Sequence, residues 1–200
     1  MMVTRRFILG AGIGIAGRSL VPGAGRAFES DDHPVVRTRP GLVRGFSNGS
    51  VKVFRGLRYG ADTAPRRFRP PLPPQPWEGI VDAFEYGPAA PQLRTAESIS
   101  EDCLFLNVWT PSVSDGRQRP IMLYIHGGAY NHGSGSSPLY DGSALAQQGD
   151  VVVVTVNHRL NAFGYLYLQR LAPDLFPDSG NDKYSAGVES ECDRPADPRG

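Results

Sequence analysis

Pro120-Ile121-Met122-Leu123-Tyr124-Ile125-His126-Gly127-Gly128-Ala129-Tyr130 is the stretch that decides how this chain folds. An apolar run that opens abruptly into His-Gly-Gly-Ala predicts a strand leading into a tight loop whose backbone N–H groups no side chain covers. Consecutive bare donors of this kind can point at an oxygen on which negative charge develops. Such a loop polarises a carbonyl but attacks nothing. A second run, Val151 to Val156, is aliphatic and β-branched throughout. Both runs have the pattern of strands covered on both faces in a parallel sheet. Between them Ser143-Ala144-Leu145-Ala146-Gln147-Gln148 predicts a short helix ended by Gly149. Strand, loop, helix, strand is a βαβ-type crossover, so the fold class is α/β.

Upstream, Val35-Val36-Arg37-Thr38 and Leu42-Val43-Arg44 read as short strands separated by Pro40-Gly41, and Val51-Lys52-Val53-Phe54-Arg55 alternates as a strand. Asn48-Gly49 before that strand is a hairpin signal. It disposes of a tempting alternative, because Gly45-Phe46-Ser47-Asn48-Gly49 also spells the Gly-x-Ser-x-Gly pattern of a nucleophile elbow. An elbow requires a strand-to-helix turn, and here a strand comes next. Ser47 is therefore read as a turn residue. Six prolines between Pro65 and Trp77 rule out helix and interior strand. An ordered surface loop docked by Phe68 and Trp77 is favoured there over a polyproline ligand. Leu104 to Thr110 is a strong strand closed by Pro111, and Ser112 to Gln118 a polar turn.

The 200 residues carry 21 basic and 20 acidic side chains, which argues against a nucleic-acid footprint or a polybasic membrane patch. Gly 24 and Pro 18 imply many turns and few long helices. Cys103 and Cys192 suffice for neither a disulfide framework nor a zinc site, so no metal or cofactor is expected. Arg5-Arg6 stands before a glycine-diluted apolar stretch, and Gly25-Arg26-Ala27 offers small residues where a signal peptidase reads. Residues 1–27 are thus expected to be a twin-arginine-type signal peptide and the product to be exported, periplasmic or secreted. The apolar stretch falls far short of the ~20 residues of a spanning helix, so no stable membrane insertion is expected.

Several stretches, in order, resemble the N-terminal part of the type-B carboxylesterases: Phe54-Arg55-Gly56-Leu57-Arg58-Tyr59, Arg67-Phe68 through Pro76-Trp77, Glu101 to Val108, His126 to Tyr130, Tyr140-Asp141-Gly142, and Val153 to Leu160. That resemblance implies an α/β-hydrolase fold over residues 28–181, with Gly-Gly-Ala closest to the bacterial esterases. It implies a serine-nucleophile carboxylic ester hydrolase acting on a small-molecule ester. By position, Gly128 and Ala129 would be the oxyanion-hole donors, with Gly127 setting the turn. His126 is expected to be a buried, hydrogen-bonded turn residue, since in this fold the catalytic His comes after Ser and the acid. His132 and His158 are expected in solvated loop and strand-end roles. Glu101 and Asp102 are expected to form salt bridges or to cap the start of the strand. Cys103 matches a family cysteine whose usual partner position is Ala90 here, leaving a lone buried thiol.

Phe176 to Asn181 still resembles the family, but Asp182 to Gly200 has no helical or strand period and is read as an unrelated, disordered tail. Neither the nucleophile, the acid nor the base is assigned, so the chain is expected to be truncated and inactive alone. A non-catalytic binding protein of the same fold and a non-functional short product remain alternatives. Apolar strands lacking their covering are expected to make the isolated product poorly soluble or molten.

Overall fold

The computed structural model describes residues 32–93 and 95–174. The signal-peptide reading, the tail and Cys192 lie outside the described residues.

Among the described residues, eight strands form two sheets. β1 (Val35–Arg37) and β2 (Leu42–Arg44) pair antiparallel, and β5 (Ile80–Asp82) joins β2 in parallel, giving the small sheet β1-β2-β5. The main sheet has the order β3-β4-β6-β8-β7, from β3 (Phe46–Asn48), β4 (Val51–Arg58), β6 (Phe105–Thr110), β7 (Ile121–Ile125) and β8 (Val152–Val156). β7 and β8 run parallel, joined by the crossover through α1 (Ser143–Gly149). β6 is antiparallel to both β4 and β8.

Alternation along the strands builds the layers. Val51, Val53, Trp109 and Val153 are buried on one face of the main sheet with Ala146 of α1. Phe54 meets Val43 and Ala83 of the small-sheet side, with Leu57, Trp77 and Val108 packed around them. A third cluster joins Ala90, Cys103, Leu104 and Leu160.

Ser47 is no elbow residue, but neither is it in the turn as expected: it lies on β3, paired with Lys52 across the β3–β4 hairpin and accepting from its Nζ at 2.9 Å, because the turn itself falls at Gly49-Ser50. The two turn residues are Gly49-Ser50, one position later than the Asn-Gly signal implies, because Asn48 pairs with Val51. A positive φ of 61° at Gly49 fits glycine at the first central position of a hairpin turn. Trp77 and Phe68 dock the proline loop: indole Nε1 donates to Leu42 O at 3.0 Å, and the Phe68 ring stacks on Phe163 at 6.2 Å. A single 3-10 turn, Ala64–Arg66, interrupts that loop, since Pro65 sits in its first turn, where no N–H is needed. α1 includes Gly149, and Asp150 takes the left-handed stop at φ 48°. Its carboxylate accepts from Arg117 and Arg119.

Three short elements carry no sequence signal strong enough to read: β5, the 3-10 turn Pro138–Tyr140 and the one-turn helix α2 (Asn161–Tyr165). The clearest departure concerns β7. Its five side chains are exposed on both faces, rather than covered as its composition predicts, because the crossover helix α1 packs against β4, β6 and β8 instead of over β7.

Candidate functional site

The loop 126–136 leaves the C-terminal end of β7, and backbone geometry sets its shape. Gly128 (φ 124°), Ala129 (φ 52°) and Tyr130 (φ 65°) are consecutive positive-φ residues. Two are not glycine, a conformation that costs about 1–3 kcal/mol each and persists only where the surroundings impose it. The Gly128 carbonyl accepts from the N–H groups of Asn131 (3.1 Å) and His132 (3.2 Å), closing the turn. Among the described residues, none accepts a hydrogen bond from the N–H of Gly128 or Ala129. Gly127 and Ala129 are exposed and Gly128 half-buried.

What imposes this conformation is a set of polar anchors. Gln92 clamps Gly133 at two points, accepting from its N–H at 2.8 Å and donating to its carbonyl at 2.9 Å. Any side chain at Gly133 would collide with His126 Nδ1 and Gly127 O, each 2.5 Å from an added Cβ. Ser134 donates to Glu97 at 2.5 Å, and Gly135 N–H donates to Asn157 Oδ1 at 2.7 Å. The Gly135 carbonyl accepts from Thr155 Oγ1 (2.7 Å) and Asn107 Nδ2 (3.2 Å). Asn161 receives the loop from the other side: its N–H donates to Tyr130 O at 2.8 Å and its amide to Asn131 O at 3.2 Å.

Asn107 does double duty. β4 and β6 change register between Phe54 and Leu57, leaving a bulge at Arg55-Gly56 opposite Asn107. Gly56, at φ 63°, donates its N–H to Asn107 Oδ1 at 3.0 Å, so one buried amide satisfies the bulge and reaches the loop. These anchors are not among the residues the sequence singles out. Asn107 and Thr155 do leave a signal, each a polar residue inside an otherwise apolar strand run. Gln92 and Asn161 leave none, because loop residues 41 and 30 positions from their partners have no local pattern.

His126 is buried and donates from Nδ1 to Gly127 O at 2.8 Å, as expected of a turn residue. His132 is exposed, its Nδ1 2.5 Å from Asn131 Oδ1. His158 departs from the solvated role expected: it comes after β8 but is buried, stacked face to face on His126 with ring centroids 4.5 Å apart and planes at 11°. Burial holds both imidazoles below their ordinary range. Asp102 forms a bidentate pair with Arg58 at 2.5 and 2.7 Å, and Glu101 one with Arg67, which lowers the Glu101 carboxyl. Both carboxylates are structural, as expected. Cys103 is a buried free thiol beside Ala90, and burial pushes it up to about 12. Among the described residues no three His, Cys, Asp or Glu side chains gather to hold a metal ion, and no helix is long and apolar enough to cross a membrane. A cavity of about 510 Å³ opens between the two sheets at Val43, Leu57, Trp77 and Phe105, and includes no residue of the loop.

The model of the carboxylesterase family matches residues 32–174. The chain belongs to the carboxylesterase family. Para-nitrobenzyl esterase of Bacillus subtilis (strain 168) is 43% identical over 145 residues, covering 68% of this chain and 29% of its own length. Fumonisin B1 esterase of Sphingopyxis macrogoltabida is 42% identical over 148 residues, 70% of this chain and 27% of its own. A crystal structure of a Geobacillus stearothermophilus carboxylesterase matches at a TM-score of 0.68 and 47% identity, over 74% of this chain and 31% of that one. This carboxylesterase chain therefore spans less than a third of the length of these relatives. Its sheets and crossover are those of part of an α/β-hydrolase fold.

Proposed function

We propose that this chain forms the oxyanion-stabilising part of an exported serine-type carboxylic ester hydrolase. The observation that carries the reading is the pair of N–H donors at Gly128 and Ala129, which have no acceptor among the described residues, on a loop that leaves β7 and is held at Tyr130 by Asn161 and along its returning arm by Gln92 and Asn157. In the reaction a serine oxygen attacks the ester carbonyl. The carbonyl oxygen takes up negative charge, and the two N–H groups hold it as the tetrahedral intermediate forms. Gly127 lets the chain turn out of β7 without a side chain over that space. The nucleophile, acid and base are not among the described residues, so the loop by itself has no bond to break. Arg5-Arg6 and the weakly apolar stretch after them support export by the twin-arginine route.

The test joins residues 28–174 to the remaining C-terminal segment of the Bacillus subtilis relative and measures p-nitrophenyl acetate turnover. Lactate in place of Ala129 converts that amide to an ester and deletes one N–H without altering the side chain. A fall in kcat of about 10²–10³ with little change in KM is expected. A chimera that turns over equally fast with the ester at that position would remove the assignment.

A further inference from the structure

The His126–His158 stack has no part in the reaction just described, yet it sits at the root of the loop. His126 immediately precedes Gly127, and its ring edge touches Gly133 at the loop's return. His158 lies two residues beyond the end of β8, on the segment that also carries Asn157, which grips Gly135, and Asn161, which grips Tyr130. The stack therefore joins both arms of the loop to the strand beside it. In each ring Nδ1 faces the carbonyl of the next residue, Gly127 O at 2.8 Å and Arg159 O at 3.0 Å. A carbonyl only accepts, so both neutral rings carry their hydrogen on Nδ1, and an added proton goes to Nε2.

We propose that His126 and His158 form an acid-sensitive latch on the Gly127–Ala129 loop, closed while at most one ring carries the extra proton and opened when both do. One imidazolium over a neutral ring is tolerated, because the charge faces a π surface. Two imidazolium rings with centroids 4.5 Å apart, both buried, repel in a site with little water to screen them. The charged and titratable neighbours do not cancel that repulsion. Glu97, from the segment before β6, attracts a proton on His126, but its carboxylate is also held by Ser134. His132, within the loop, opposes it. Tyr165 of α2 meets His158 edge-on, its hydroxyl 3.3 Å from Nδ1, and Tyr130 packs on Tyr165. Arg159 adds a second buried cation on the same segment, facing Cys103 and Tyr59. Burial lowers both imidazoles, which keeps the latch closed at neutral pH. Once the rings part, His126 no longer fixes the turn into Gly127, and the positive-φ residues beyond it are released from an imposed conformation.

The latch takes its functional meaning from the oxyanion reading but not its geometry, so its test uses no substrate. The full chain, with 13C-labelled histidine rings and 15N amides, is titrated by NMR. His126 and His158 are expected to share the first proton, giving two-step curves whose midpoints differ by more than about one pH unit. The Gly128 and Ala129 amide resonances are expected to move with the second, more acidic step. H158F keeps a ring on His126 without a charge: His126 should then titrate in one step, and the acid step should vanish from the loop amides. If H158F does not fold, H126F gives the reciprocal test on His158. Single-step titration of both rings in the wild type, or an acid step in Gly128 that survives H158F, would overturn the latch. An Ala129 ester without effect on turnover would instead remove the oxyanion reading and leave the latch intact.

Discussion

Replacing Ile121 and Ile125 of β7 with lysine is expected to weaken self-association of the 200-residue chain at least about tenfold while leaving its melting temperature nearly unchanged. Sheet order is the reason. Among the described residues β7 hydrogen-bonds to β8 on one side only, and its five side chains are between 37% and 68% exposed. Ile121, Leu123 and Ile125 point to one face, Met122 and Tyr124 to the other. Full burial of such a side chain is worth roughly 1.5–3 kcal/mol, and about half of it is unrealised here, so about 5 kcal/mol remains to be gained across the strand. That is comparable with the net stability of a whole domain, about 5–15 kcal/mol. A second copy covering one face recovers part of it, and its strand edge adds backbone hydrogen bonds. Lysine at both positions sets like charges against any facing copy. Because both isoleucines are already more than half exposed, the substitution should change folding stability by no more than about 0.5 kcal/mol. Sedimentation velocity over a concentration series, with dye binding to exposed apolar surface, reads the effect. A wild-type chain that is monomeric at about 100 µM and melts in one sharp cooperative transition would refute the reasoning. So would a double-lysine variant that associates as strongly as its parent.

The same soluble variant serves for other tests. Asn107→Ala removes three hydrogen bonds and strands the Gly56 N–H at the bulge, which should cost about 3 kcal/mol and lower the urea midpoint by roughly 1.5 M. A shift below about 0.5 M would mean that water replaces the amide. Ala90→Cys places a thiol in the cluster that holds Cys103 and should form a disulfide on mild oxidation, stabilising by about 3 kcal/mol. Three thiols still titratable after oxidation, Cys192 included, would show that the pair is too far apart. Stability should also fall as pH drops. His126 and His158 are lowered in the folded state, so below about 6.5 the unfolded chain binds more protons, and the loss continues until their depressed midpoints are passed. Thermal melting from about pH 8 to about pH 5 reads it, and a flat profile would contradict the burial of the pair.

Local order is legible in the sequence where one segment suffices. The hairpin, the crossover from β7 through α1 to β8, the docked proline loop and the ion pairs of Glu101 and Asp102 all come from periodicity, turn residues or motif. The elbow-like Ser47 is excluded by the strand immediately after it. Edges shift by a residue, at Gly49-Ser50 and at Asp150, because pairing of Asn48 with Val51 and the arginine clamp on Asp150 settle the final position.

Apolar composition alone made β7 a strand, and His-Gly-Gly-Ala made a loop with bare amides. Which faces of β7 are covered was beyond composition, because coverage depends on which elements pack over a strand, and here α1 lies against β4, β6 and β8 instead. The same holds for the site. The positive-φ turn is specified locally by small residues, but the hold on it comes from Gln92, Asn107, Asn157 and Asn161, which lie between about 20 and 40 residues away in the chain. The ring over His126 was equally hidden, since His158 in isolation reads as a strand end. Hydrogen bonds and ring stacks between distant residues leave no periodicity to read. Only folding brings those partners within the few ångströms over which such contacts act.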